Sequence, residues 1–513
     1  MKAGKNTTAL CVFTFFTLIF VFFGSGKYGG DGLENYLTAE SIVLDGDLAI
    51  YDRPFDVKEM RYEKRGNLNQ SSGRRVSGYG LGMALILVPF YLFGHIAAGL
   101  IPKIPHGYIT QFFVSLSNPL ILALLAVLIF KFLLKLGYTF KTAFLSAAIY
   151  SFCTMNFIYC RSGFAEPMVA LLIMSAAYYI YSFSKENKPI ILLVSAICFA
   201  YAVFIKKSSL ILLPGFLIYL VYIYRSKKEQ KKSLQSLILF LLPLIIAFLA
   251  ILLQNKIFYG GVSRNEFGTT SDMLANLTRK SFPVKGIYYY LLSSGKGYFI
   301  YNIALILGLF ALKDFTKRSR GLLILLACLW LTNLFFYAFI FTRGSIFSWG
   351  PRYLFPTLPF LALPLAEFIE KNNHFRRKAT LFLFAGIGLL IQLPCLFINF
   401  SKYIFFIKEK LGLPEYFIDF MPELSPIKGA WMLFISLLKR HVTGCSEVFL
   451  YNPDFKFVAP LKSSLAGYDL IDIWWINILK VNPALIGVSI AAVTVLLILI
   501  YLSFRRLYSQ KAL

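Results

Sequence analysis

The chain has 513 residues, 58% of them hydrophobic and 15% charged, with a formal net charge of +27. An ordinary soluble domain is about half apolar and a quarter charged, so this balance has moved toward lipid. The positive excess sits largely in short clusters between apolar runs, a pattern that cytoplasmic loops produce and that requires no nucleic-acid partner.

Apolar stretches of roughly 18 to 25 residues recur along the chain, each bounded by Lys, Arg, Pro or Asn. They lack the period-two alternation of barrel strands, so an all-α polytopic membrane protein is expected. Lys2 and Lys5 precede an apolar run from about Ala9 to Phe23, followed by Gly24-Ser25-Gly26. That pattern fits a signal peptide. An uncleaved signal-anchor helix is expected, because further apolar runs of spanning length come after it.

A polar segment then runs from Lys27 to about Gly80. Asp31 follows Gly29-Gly30, and Leu33, Leu37, Ala39 and Leu44 space an amphipathic helix lying on the membrane. A carboxylate at that edge serves either as a helix N-cap, or as a general base on an acceptor hydroxyl or amine, or as a holder of a cation. Arg74 and Arg75 close the segment and are candidate phosphate contacts.

The next apolar piece, Gly78 to Ile101, is interrupted by Gly82, Pro89, Gly94, His95 and Gly99. Whether it spans sets the parity of everything downstream. If it does not, helices at about 109–130, 142–160, 166–183, 189–205, 208–224, 235–256, 298–312, 321–342, 353–369, 379–398 and 482–504 follow. The cytoplasmic joints then hold Lys131, Lys135 and Lys141, Lys185 and Lys188, the cluster from Arg225, Lys313 to Arg320, Lys371 to Lys378, and Arg505 with Arg506. If it spans, all of these clusters flip outside. The charge bias therefore predicts a non-spanning interfacial helix, about twelve transmembrane helices in all, and both termini inside.

This parity puts 27–108, the joint around Arg161 to Glu166, 257–297 and 399–481 outside. Glu166 precedes Pro167, which suits a first helical turn, so it either favours the helix's positive end or joins Asp31 in one outer cavity. Lys206 and Lys207 stand at an outer helix end, as a solvated turn or as phosphate contacts. Arg343 and Arg352 are further outer cations. Ser293-Ser294-Gly295-Lys296-Gly297-Tyr298 opens a helix either as a plain turn or as an anion site. Ser348-Trp349-Gly350-Pro351-Arg352-Tyr353 opens another, with an Arg suited to phosphate. Seven scattered Cys and four His form no metal-ligand spacing; no cofactor is required, and paired carboxylates would tolerate a divalent metal.

At these residues the chain resembles the GT-C superfamily of integral-membrane glycosyltransferases, over roughly residues 8–400. It looks most like the branch of protein O-mannosyltransferases and the lipid A aminoarabinose transferase. The matching positions are Asp31, Tyr36 and Gly46-Asp47, the interfacial helix after Ser77-Gly78-Tyr79-Gly80, Glu166 where the family usually has Asp, and Lys206 with Pro214. Gly295 to Gly297 and Gly350-Pro351-Arg352-Tyr353 complete the set. The resemblance implies a catalytic module over 1–398, an extracytoplasmic segment over 399–481 that matches no sugar-binding domain, and a last helix and tail over 482–513. It further implies a polyprenyl-phosphate sugar donor and an extracytoplasmic lipid, glycan or protein acceptor. Asp31 and Glu166 would be catalytic, with Lys206, Arg352, Arg74, Arg75, Lys296 and Tyr36 binding substrate, on the outer face of an inner (plasma) membrane. A flippase for a lipid-linked saccharide, or an oligosaccharide ligase or polymerase, is the alternative.

Overall fold

A computed structural model of the chain describes residues 2–28, 31–51, 67–68, 73–227, 230–262, 264–265, 268–269, 284–340, 347–371, 374–410, 412–443, 449–450, 459–460 and 470–509. The expected contributions of Gly29, Gly30 and Arg343, and the middle of the 399–481 segment, lie outside these residues. The fold is all-helical apart from short antiparallel pairs such as Asn67–Leu68 with Arg75–Val76.

The first helices are α1 (Lys2–Phe22), α2 (Gly32–Leu44), α3 (Leu81–Leu100), α4 (His106–Ser115), α5 (Ser117–Lys135) and α6 (Phe140–Phe152). After them come α7 (Asn156–Tyr159), α8 (Glu166–Glu186), α9 (Pro189–Ile205), α10 (Leu213–Lys227) and α11 (Gln230–Tyr259). Pro167 and Pro189 stand in the first turns of α8 and α9, where an amide hydrogen has no helical partner to lose. Thr139 caps α6 by accepting from the Thr142 amide. Among the described residues nine helices are long and apolar enough to cross a membrane, and three shorter apolar helices include Thr7–Phe22 and Pro189–Ile205. The chain is a multi-pass membrane protein.

Several helices differ from their expected form: the runs expected at 208–224 and 353–369 open as 3₁₀ segments, Lys207–Leu212 and Arg352–Leu361, and three others differ more. The run expected at 142–160 breaks after Phe152, and the run expected at 298–312 breaks at Asn302. One side chain is involved in both breaks: Asn302 donates to Tyr298 O (2.8 Å), and its Oδ1 accepts the Met155 amide (3.0 Å). Side-chain bonds to backbone here replace helical ones. The third is α2, expected to lie amphipathically on the membrane. It forms in the expected place, but Gly32, Leu33 and Asn35 to Ser41 are all buried, so both its faces are covered.

Helix α3 packs along α2 and α4 and meets α9 at that helix's end, where Gly82 lies against Ile205. The sequence predicts that this segment does not span; in the structure Leu81–Leu100 is among the nine helices long and apolar enough to cross a membrane.

The charge clusters segregate by end. At one end Lys135 pairs with Glu186 (3.0 Å), Arg318 with Glu367 (2.8 Å) and Lys371 with Asp314 (2.9 Å), while the Tyr138 hydroxyl donates to Glu367 (2.7 Å). These are the joints that the charge bias assigns to one side. The segments around Asp31, Glu166, Lys206 and Arg352 meet at the other.

What lets them meet is backbone contact. A Cβ on Gly32 would stand 1.9 Å from the carbonyl oxygen of Gly163, so only glycine allows the start of α2 to touch the 161–165 loop. Gly32→Ala would ordinarily raise helix propensity by about 1 kcal/mol, but the forced separation costs about 1–3 kcal/mol or more and wins. We expect a lower melting temperature for Gly32→Ala than for wild type in detergent, measured by thermal unfolding.

Candidate functional site

Asp31 occupies the N-cap position of α2, yet its side chain makes no cap hydrogen bond. Its carboxylate instead accepts a close contact from the Arg352 guanidinium. The capping alternative is therefore set aside by geometry. Arg352 begins a 3₁₀ segment, Arg352–Leu361, and is carried there by Gly350, whose φ of +67° suits glycine. A Cβ on Gly350 would also stand 3.0 Å from Met155 Sδ.

Glu166 opens α8 and is 5% exposed at its side chain. Lys206, just past the end of α9, donates to Glu166 Oε1 at 2.6 Å. The Arg352 Nε stands 3.2 Å from the same oxygen, as an ion contact without hydrogen-bond geometry. Two carboxylates and two cations thus form one chain of contacts from Asp31 through Arg352 and Glu166 to Lys206. Burial is the largest single influence on Lys206 and lowers its pKa, but the Glu166 charge, the nearby Tyr337 and the Glu166 hydrogen bond together outweigh it, so the net shift is upward and the ammonium is retained.

Aromatic rings wall the cations. The Arg352 guanidinium lies 4.6 Å from the Phe164 ring centre and 5.0 Å from that of Tyr353, and the Lys206 ammonium 4.8 Å from that of Tyr353. Tyr353 in turn stacks on Tyr337 at 4.8 Å, and the Tyr337 hydroxyl bonds Ser208 at 2.7 Å. Ring faces attract cations and leave the guanidinium edges to make directional bonds. Asp31 is the more open carboxylate, 37% exposed. Tyr79 faces it: burial, and after it the Asp31 charge, push the phenol above its ordinary value, which keeps it a proton donor.

The remaining sequence candidates fall elsewhere. Tyr36 is fully buried and bonds Thr110 at 2.7 Å, with Tyr91 edge-on at 5.5 Å, so it joins α2 to α3 and α4. Arg74 pairs with Asp47 at 2.8 Å on an exposed surface, and the Arg75 carbonyl accepts the Ile50 amide at 2.8 Å. Asp47 itself is held below its usual range, first by the Tyr51 hydroxyl. Lys207 donates to Asn255 at 3.1 Å.

Lys296 is fully buried and donates to the Ser348 carbonyl (2.5 Å) and hydroxyl (3.3 Å). It thus props the loop that carries Arg352. Burial pushes its pKa down, against the pull of Asp419.

Sequence reasoning does not single out Glu34, which accepts the Gly78 amide at 2.7 Å and so fixes Tyr79 beside Asp31. Nor does it single out Glu40, which accepts from Tyr91 at 2.9 Å. Acidic residues inside an otherwise buried helix are the signal that could have found them. Among the described residues no three His, Cys, Asp or Glu side chains are grouped as a metal ion would need.

Fold and site define a multi-pass helical membrane protein with a buried, charge-balanced cluster at one end of its bundle. Compared with known proteins, the chain matches no family model and no curated protein.

Removing one partner of a buried ion pair strands the other charge and costs about 3–5 kcal/mol. Glu166→Gln leaves two cations without their shared anion. We expect it to destabilise toward the lower end of that range, since Lys206 reaches some solvent, as measured by denaturation in detergent beside wild type.

Proposed function

We propose that this protein is a GT-C-type glycosyltransferase that moves a sugar from a polyprenyl-phosphate donor to an extracytoplasmic lipid, glycan or protein acceptor. The observation that carries the reading is the convergence of Asp31, Arg352, Glu166 and Lys206, from four separate parts of the chain, at one end of an apolar helix bundle. A donor with an anionic phosphate and a long hydrocarbon tail matches a cation cluster beside lipid. The order of motifs noted in the sequence supports the same family.

In this mechanism the donor phosphate binds Lys206 and Arg352. Glu166 holds those cations in place and is a positioning group more than a contact to the acceptor. Arg352 contacts Asp31, so phosphate binding to the guanidinium competes with that contact and frees the Asp31 carboxylate. Asp31 then takes the proton as an acceptor hydroxyl or amine attacks the anomeric carbon. The bond from that carbon to the phosphate oxygen breaks, polyprenyl phosphate leaves with the electron pair, and configuration inverts. Cations aimed at the leaving phosphate stabilise the charge that develops there. No step requires a metal. Twelve spans, with this end of the bundle outside an inner (plasma) membrane, complete the proposed arrangement.

The test is label transfer from a labelled polyprenyl-phosphate sugar to membrane extract by purified protein. Asp31→Asn is expected to lower kcat about 10²–10⁴-fold in protein that remains folded, the share of a general base. Normal transfer by folded Asp31→Asn refutes the base assignment. Lys206→Ala is expected to raise the donor KM roughly 10-fold or more, the loss of one charge-assisted bond. A flippase would move the labelled lipid without producing a labelled acceptor. Reporters fused after residue 80 or 165 are expected outside; cytoplasmic reporters overturn the orientation.

A further inference from the structure

The C-terminal segment comes back to the site. Residues 470–482 cross the end of α1, where the last carbonyls of a helix lack partners within it. The Trp474 amide donates to Gly24 O (3.0 Å) and its indole to Val21 O (2.9 Å). The Trp475 indole donates to Phe22 O (3.2 Å), and the Asn477 side chain to Ser25 O (2.8 Å). On its other edge the strap pairs with 397–399: the Asp472 amide donates to Phe397 O (2.9 Å) and the Asn399 amide to Leu470 O (3.1 Å).

Asp472 faces inward from this strap. One carboxylate oxygen accepts from Asn477 (3.0 Å) and the other from Arg161 (3.0 Å). The Arg161 fork also makes close contacts to the carbonyls of Asp472 and Cys395. Arg161 is 5% exposed, and Asp472 is its ion-pair partner. Burying a guanidinium is costly unless its donors are matched, so this pair is a built feature of the loop's start. Downstream the loop is held again: Asn118 donates to Ser162 O (2.6 Å) and Phe164 O (3.2 Å), Gly163 receives Gly32, and Glu166 begins α8.

We propose that Asp472 and Arg161 are a positioning pair: through the 161–165 loop the strap holds Glu166 and its two cations in register with Asp31. The geometric claim stands by itself, while its consequence for turnover rests on the glycosyl-transfer reading. It gives the C-terminal segment a role in assembling the site. A lysine cannot replace Arg161, because three acceptors on two chain segments need the fork.

The experiment uses full-length protein and needs no substrate for its first readout. A water-soluble carbodiimide joins a paired lysine and carboxylate as an amide, so peptide mass spectrometry reads the Lys206–Glu166 pair. The Lys135–Glu186 pair at the opposite end is the internal reference. Arg161→Lys and Asp472→Ala are expected to lower Lys206–Glu166 coupling roughly tenfold relative to the reference, and the double variant to be no worse than Arg161→Lys alone. In the transfer assay the larger loss is expected in kcat, up to about 10²-fold, with a smaller rise in donor KM than Lys206→Ala gives, because both cations are still present to bind the phosphate but no longer align it with Asp31. Asp472→Asn, which keeps the size and one acceptor oxygen, is expected to fall between wild type and Asp472→Ala. It carries the test if the alanine variant fails to fold, which loss of the reference coupling reveals.

Unchanged Lys206–Glu166 coupling in folded variants overturns the proposal. Equal falls in both pairs overturn it too, since they mean general loosening. Absence of any transfer by wild-type protein refutes the glycosyl-transfer reading and leaves the coupling comparison to decide the positioning claim.

Discussion

A carboxylate buried at the mouth of an apolar bundle has to be met by positive charge, and Glu166 is met twice. One of its oxygens takes both the Lys206 ammonium and the edge of Arg352, and Arg352 passes the connection on to Asp31. The cluster is balanced as a unit, so each member depends on the others. The more exposed end of the chain of contacts is Asp31, where a molecule from outside would first meet it.

Ionic attraction does not bring four distant segments together unaided, because the desolvation of buried charges offsets most of what their pairing gains. Backbone contacts do the assembling. Gly32 lets α2 touch the 161–165 loop, Asn118 holds two carbonyls of that loop, and Gly350 turns the chain so that Arg352 points inward. Lys296 sits beneath the last of these turns. The strap donates to carbonyls at and just past the end of α1 and in the same stroke delivers Asp472 to Arg161. Capping and site assembly are one piece of structure here.

Much of this is legible in the chain. Apolar runs bounded by basic joints mark the helices, and the two ends of the bundle carry the charge clusters that the bias predicts. Asp31, Glu166, Lys206 and Arg352 stand out as candidates, and the structure brings all four together. Tyr36 and Arg74 stand out too, and they serve packing and a surface pair instead. A tyrosine on an amphipathic helix looks the same in sequence whether that helix lies on lipid or inside protein. The breaks at Cys153 and Asn302 are hidden because they arise from a bond between two helices, to which neither sequence run points.

The helical membrane class of the molecule and the separation of its charge clusters are therefore written in the order of its residues. Transfer of side chains between water and hydrocarbon is a local property, summed along each run, and so is the placement of basic residues at the joints. Which charges touch is a matter for the folded chain alone. That depends on glycine contacts, caps and hydrogen bonds between segments as far apart as Arg161 and Asp472, and such pairings leave no periodic trace along the chain.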